Sequence, residues 1–137
     1  MIVTDKNKLK TKCSPVSIDE GEEIGVRLLH ELRQSENGIG LAANQIGIQK
    51  RVCVINVKEP LVLINPRIVE KSKEQFVFPE GCLSFPDDKI KTIRHESIVA
   101  IVKNTTKYII CMIKSFIKPI KSIHPPTLVE PFCISLL

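Results

Sequence analysis

Residues 18 to 35 carry apolar side chains at helical spacing, Ile24, Leu28, Leu29 and Leu32, behind an acidic start of Asp19, Glu20, Glu22 and Glu23. Negative charge at that end complements a helix dipole, and the apolar residues form one face that has to be buried. The pattern predicts an amphipathic helix that needs a surface to pack on. The rest of the chain offers strands. Val52-Cys53-Val54-Ile55-Asn56-Val57 and residues 61 to 64 are short apolar runs separated by Glu59-Pro60, which reads as two antiparallel neighbours. Asn65-Pro66 ends the second run, residues 67 to 70 resume an extended path, and residues 71 to 74 make a charged loop. Residues 75 to 85 deliver a cysteine-bearing motif, and residues 90 to 103 alternate imperfectly between polar and apolar, with Ser97-Ile98-Val99-Ala100-Ile101-Val102 as a strand core. Residues 9 to 16 read as extended, because Pro15 disfavours helix at Ser14. An N-terminal helix with short, mainly antiparallel strands defines an α+β domain.

At 137 residues the chain suffices for one domain, and 43% hydrophobic with 26% charged residues is the balance of a folded protein. The formal charge is +5, of which +3 falls in the last 31 residues, where the residue types also change. No basic cluster is interleaved with aromatics, which argues against direct nucleic-acid binding. The cysteines at 13, 53, 82, 111 and 133 show no C-x-x-C spacing, and the chain opens without the apolar run of a secretory signal. Free thiols in a cytoplasmic, reducing compartment are the expectation. Charged residues interrupt every apolar stretch before it reaches membrane-spanning length, so no membrane association is expected.

Two segments carry chemistry-bearing residues in unusual settings. Gly38-Ile39-Gly40-Leu41-Ala42-Ala43-Asn44-Gln45-Ile46-Gly47 is a run of small residues broken by one long amide side chain, as expected of backbone held close to a ligand with one orienting polar group. Its structural reading is a tight strand and turn packed under a sheet, with Gln45 merely satisfying neighbouring backbone groups. Glu80-Gly81-Cys82-Leu83-Ser84 sets one thiol beside a glycine that permits close backbone approach, with Pro79 and Pro86 as rigid ends. In an arbitrary protein such a cysteine is an inert core residue, which is the reading adopted for Cys53. His30-Glu31 and His95-Glu96 lack a second histidine one turn later, since Gln34 and Val99 stand there. They read as structural or solvent-facing pairs rather than metal ligands.

Both segments resemble signature motifs of the peptide deformylase family, metal hydrolases that remove the formyl group from the N-terminal methionine of new proteins. The resemblance runs from about Val3 to about Lys103. It implies that Gln45 and the Leu83 amide stabilise a developing oxyanion, that Cys82 is a ligand to Fe2+ or Zn2+, and that Gly40, Leu41, Glu80, Gly81 and Arg94 contact the substrate. It also implies N-formylmethionyl peptides, presented by nascent chains at the ribosome, as partners. The family's third motif, a helical His-Glu-x-x-His supplying two ligands and the catalytic carboxylate, does not occur in the sequence. The resemblance therefore implies a deformylase-like hydrolase impaired or inactive as written, with a catalytically dead peptide-binding protein as the alternative and a thiol-redox role for Cys82 a weaker one.

The core is expected at residues 1 to 104 and a divergent apolar, basic tail at 105 to 137. Residues 107 to 118 can form a short helix with Ile109, Ile113, Phe116 and Ile117 on one side, and Pro119, Pro125, Pro126 and Pro131 exclude a long helix beyond it. The metal-bearing C-terminal helix is thus expected to be missing. A natural shortening, a shifted reading frame, and replacement ligands from His95 or His124 all remain open as explanations.

Overall fold

Ser17 starts the main helix, its side chain accepting a hydrogen bond from the Glu20 amide at 3.3 Å. In the computed structural model, which describes residues 1–36, 38–56, 59–104 and 107–114, this helix spans Ile18–Arg33 (α2). Its buried residues are Gly21, Ile24, Gly25, Leu28 and Leu32, returning at intervals of three and four. The two glycines bring the helix unusually close to a strand. A Cβ on Gly25 would lie 2.5 Å from Val62 Cγ1, and one on Gly21 would lie 2.7 Å from Ile64 Cγ2. A shorter helix precedes it, Lys6–Lys10 (α1), capped by Asp5, whose carboxylate accepts from the Asn7 and Lys8 amides. The extended reading of residues 9 to 16 is thus corrected at its start, where the Asp5 cap closes a turn that includes Leu9 and Lys10. Pro15 lies beyond it, and Ser14 makes a bridge with Lys50.

Three antiparallel strands receive α2: Gly40–Ala42 (β1), Val52–Asn56 (β2) and Pro60–Ile64 (β3), in the order β1-β2-β3. Pro60 opens its strand, a position where the missing N–H is tolerated. Alternation along the strands divides the two faces. Leu41, Val52, Val54 and Ile64 join Leu28 and Leu32 in the core under the helix. Ala42, Cys53 and Leu63 form a second cluster with Val102 on the other side. Val102 belongs to Ser97–Asn104 (β7), which pairs with Arg67–Lys71 (β4) and Lys107–Lys114 (β8) in the order β4-β7-β8. A third element is the hairpin of Gln75–Cys82 (β5) and Phe85–His95 (β6). The α+β expectation and the antiparallel pairing are both met, while the expected loss of the metal-bearing helix concerns positions outside the described residues.

β8 corrects the helix expected at residues 107 to 118. Positions four apart, such as Ile109 and Ile113, share a face in a helix and equally in a strand, so that spacing could not separate the two. The β-branched and aromatic content of Tyr108-Ile109-Ile110 favours the strand, and register-matched pairing from Ser97↔Lys114 to Asn104↔Lys107 realises it. Residues 107 to 114, assigned to the tail from sequence, pair with the last strand of the proposed core. Phe116, Ile117, His124 and the four tail prolines lie outside the described residues. No helix among the described residues is long and apolar enough to cross a membrane.

Candidate active site

The small-residue segment folds as β1 followed by one turn of 3-10 helix, Ala43–Ile46, closed by Gly47. Gly47 has φ 83°, a left-handed conformation that suits glycine and lets its amide reach Asn44 O at 3.1 Å. The N-terminal segment holds this turn from outside. Val3 N donates to Gln45 O at 2.7 Å, Asn44 Nδ2 to Leu9 O at 2.9 Å, and Gln49 Nε2 to Lys8 O at 3.1 Å. Lys6 Nζ sits 5.4 Å from the centroid of the Phe85 ring, which ties α1 to the start of β6. These contacts bury Gln45 to 2% exposure.

The β5–β6 hairpin supplies the other half. Its register shifts between Glu80 and Cys82, so that Cys82 pairs with Phe85 and Leu83-Ser84 form the turn. This turn comes down on Gln45. Gln45 Nε2 lies 3.8 Å from Cys82 Sγ and 3.3 Å from the hydroxyl of Ser84, while its Oε1 accepts the Ala42 amide at 3.0 Å. Leu83 packs against the core under α2, which fixes the backbone between the sulfur and the hydroxyl. The site therefore joins an amide donor and a sulfur from segments 37 residues apart.

Gly40 and Leu41 lie on β1, the terminal strand of its sheet among the described residues. The Leu41 side chain is buried in the core, so only its backbone can meet a ligand. Glu80 and Gly81 sit at the register shift beside Cys82. Gly81 departs from the expectation of close backbone approach: it is exposed, and a Cβ there would meet nothing within 4 Å among the described residues. Its place at the shift accounts for the glycine instead, since an irregular pairing leaves that residue off the regular ladder. Arg94 pairs with Phe76, six residues before Cys82 on β5, or roughly 20 Å of extended strand. The hairpin brings Cys82 to Gln45 and carries Arg94 away from them.

The other titratable candidates have structural surroundings. His30 hydrogen-bonds Gln34 at 3.0 Å on the exposed side of α2. With Met1, Val26, Arg27, Glu31 and Ile46 it lines a surface depression of about 340 Å³ that contains none of the candidate site residues. His95 Nδ1 lies 2.7 Å from Ser72 O, and its ring also meets Gln75, which ties the 71 to 75 loop to the end of β6. Burial pushes the Cys53 thiol up to about 12, as suits an inert core cysteine. Burial also raises Cys13, partly offset by the charge of Arg51.

Cys13 and Cys53 are free, but Cys82 is disulfide-bonded, its partner lying outside the described side chains. The expectation of free thiols is corrected at this position. Cys82 is only partly buried, at a hairpin turn, where its sulfur can be reached by another cysteine as the enclosed Cys53 cannot. Metal ligation by Cys82 requires the reduced thiolate. A catalytic zinc or iron needs three protein ligands, and among the described residues no three His, Cys, Asp or Glu side chains gather. The described residues do not by themselves fit such a metal. Gln45 does satisfy a neighbouring backbone group, the Ala42 amide, as its structural reading expected, while sequence reasoning missed Ser84, whose signal was a hydroxyl two residues from the thiol.

The arrangement has close counterparts among known proteins. The family model described as polypeptide deformylase matches residues 1–114. A peptide deformylase of Pseudoalteromonas translucida is 39% identical over 102 residues, covering 71% of this chain and 60% of that protein. The chain spans about three fifths of the length of curated relatives such as this one. Among solved structures, Thermotoga maritima peptide deformylase superposes with a TM-score of 0.76 at 30% identity, covering 84% of this chain and 81% of that one. A Met-Ala-Ser-bound peptide deformylase of Acinetobacter baumannii gives 0.76 at 25% identity, covering 85% and 84%. A match over the whole stretch from Met1 to β8, with one fold and both motifs in place, leads to one conclusion: the chain belongs to the polypeptide deformylase family.

Proposed function

We propose that the chain carries the thiolate and oxyanion-stabilising half of a peptide deformylase site, directed at N-formylmethionyl peptides such as nascent chains in the cytoplasm. The observation that supports this reading is the 3.8 Å approach of Gln45 Nε2 to Cys82 Sγ. Gln45 donates an amide hydrogen to the formyl oxygen, and the Leu83 amide donates a second. The backbone of Gly40 and Leu41 pairs with the peptide as a strand edge does, and Glu80 and Gly81 border the same turn. Arg94, given its register opposite Phe76, acts on a distant part of the peptide. Burial of Gln45 at 2% exposure keeps water from competing for its amide.

The family is metal-dependent, and Cys82 is the ligand this chain offers to Fe2+ or Zn2+. A single thiolate cannot hold either ion firmly against water, and the 137 residues contain no His-Glu-x-x-His. The 137-residue chain on its own therefore hydrolyses formyl peptides very slowly or not at all. Turnover of formyl-Met-Ala-Ser, measured with the reduced chain after incubation with Fe2+ or Zn2+, is the test. No release of formate above buffer is expected. Steady turnover with one metal per chain, lost in Cys82→Ser, would show that the impairment is wrong.

A further inference from the structure

A carboxamide has one acceptor oxygen and two donor hydrogens, and in Gln45 each is accounted for differently. Ala42 N–H can only donate, and it lies 3.0 Å from the end of the side chain assigned as Oε1. Turning the amide over would set donor against donor, so Nε2 is fixed on the side of the hairpin turn. There it has two neighbours of unequal strength. The Ser84 hydroxyl at 3.3 Å is an oxygen acceptor, and Cys82 Sγ at 3.8 Å is a weaker one. Ser84 is 1% exposed and Gln45 2%, so in the unliganded chain these groups, not solvent, decide where the amide points.

We infer that Ser84 is a positioning residue that takes one of the two Gln45 amide hydrogens and leaves the other, beside Cys82, as the hydrogen that a ligand oxygen binds. Cys82 and Ser84 flank Leu83 in one turn, so the turn that sets the sulfur also sets the hydroxyl. As a neutral thiol or a disulfide, the Cys82 sulfur is a weak acceptor and yields its hydrogen to an incoming formyl oxygen, whereas the hydroxyl keeps its own. Ala42 and Ser84 then hold the amide plane from opposite ends while the oxygen arrives. This inference rests on the reading of Gln45 as the formyl-oxygen donor.

The test is side-chain amide NMR of the reduced, 15N-labelled full chain, with the Gln45 resonances assigned by Gln45→Leu. In Ser84→Ala one Gln45 hydrogen should shift and exchange with solvent about fivefold faster, the factor that loss of a ~1 kcal/mol hydrogen bond gives. The other hydrogen should stay, and should be the one that moves when formyl-Met-Ala-Ser is added to the parent chain. Ser84→Thr, which keeps the hydroxyl, should leave the first hydrogen unchanged, and Ser84→Cys, similar in size but a weak acceptor, should behave as Ser84→Ala. If the alanine variant does not fold, the threonine and cysteine variants decide alone. Both hydrogens moving together in folded Ser84→Ala or Ser84→Cys, or neither moving, would overturn the positioning role. Peptide shifting the second hydrogen at the same time would leave formyl recognition intact. Peptide moving neither hydrogen, with the serine variants still moving the first, would overturn the formyl reading and the ligand half of this inference with it.

Discussion

At the scale of single residues, the chemistry depends on which polar groups are enclosed and with what. Gln45 is enclosed with partners on both ends of its amide, and that makes it a directed donor. Cys53 is enclosed with none among the described residues, and burial raises its thiol from 9.0 to about 12. The folded state therefore holds this proton more tightly than the unfolded chain. The associated stability is complete below about pH 9 and is lost as pH rises towards 12. Urea midpoints measured at pH 8 and pH 10.5 should fall with pH in the parent chain and fall less in Cys53→Val. Equal losses in the two would mean that Cys53 is not the group responsible. The roles of Gln45 and Cys82 were suggested by their motifs, because residue type and neighbours are written in the sequence. A backbone partner for Gln45 was legible there, but not that it is the Ala42 amide, since a backbone donor becomes specific only once its direction is fixed.

At the scale of elements, helix α2 was legible from its helical periodicity, and strands β2 and β3 from short β-branched apolar runs bounded by Glu59-Pro60 and Asn65-Pro66. β8 was not, since residues four apart coincide on a helix and on a strand. The position of Arg94 was not legible either, because an eleven-residue β6 carries it to the end of the hairpin opposite Cys82. The sequence also does not disclose why α2 has two glycines on its buried face. Alanine is normally the better helix former by about 1 kcal/mol. At Gly25 its Cβ would lie 2.5 Å from Val62 Cγ1, so the close approach to β3 outweighs propensity. Gly25→Ala is expected to lower stability by about 1–3 kcal/mol in denaturant melts. Combining it with Val62→Ala should recover part of that loss, a coupling that contact predicts. Strict additivity of the two changes would mean that the helix does not sit on β3 as described.

At the scale of the whole molecule, two sheets and a hairpin are joined through small contacts that converge near Gln45. The N-terminal segment grips the 3-10 turn, the hairpin tip lies over it, and Leu63 on β3 meets Val102 on β7. β8 covers the edge of β7 along eight paired residues. A chain ending after Asn104 should therefore lose its cooperative thermal transition or show it at markedly lower temperature. A chain ending after Lys114 should keep it. Identical melting of the two would show that β8 adds nothing to the fold.

Formyl recognition by the paired amide and sulfur is tested most directly by calorimetric titration of the reduced chain with formyl-Met-Ala-Ser and with Met-Ala-Ser. The formyl peptide should bind about fivefold or more tightly, the value of one ~1 kcal/mol hydrogen bond, and Gln45→Ala should erase that difference. Equal affinity for the two peptides in the parent chain, or a formyl preference that survives Gln45→Ala, would contradict the assignment of this site.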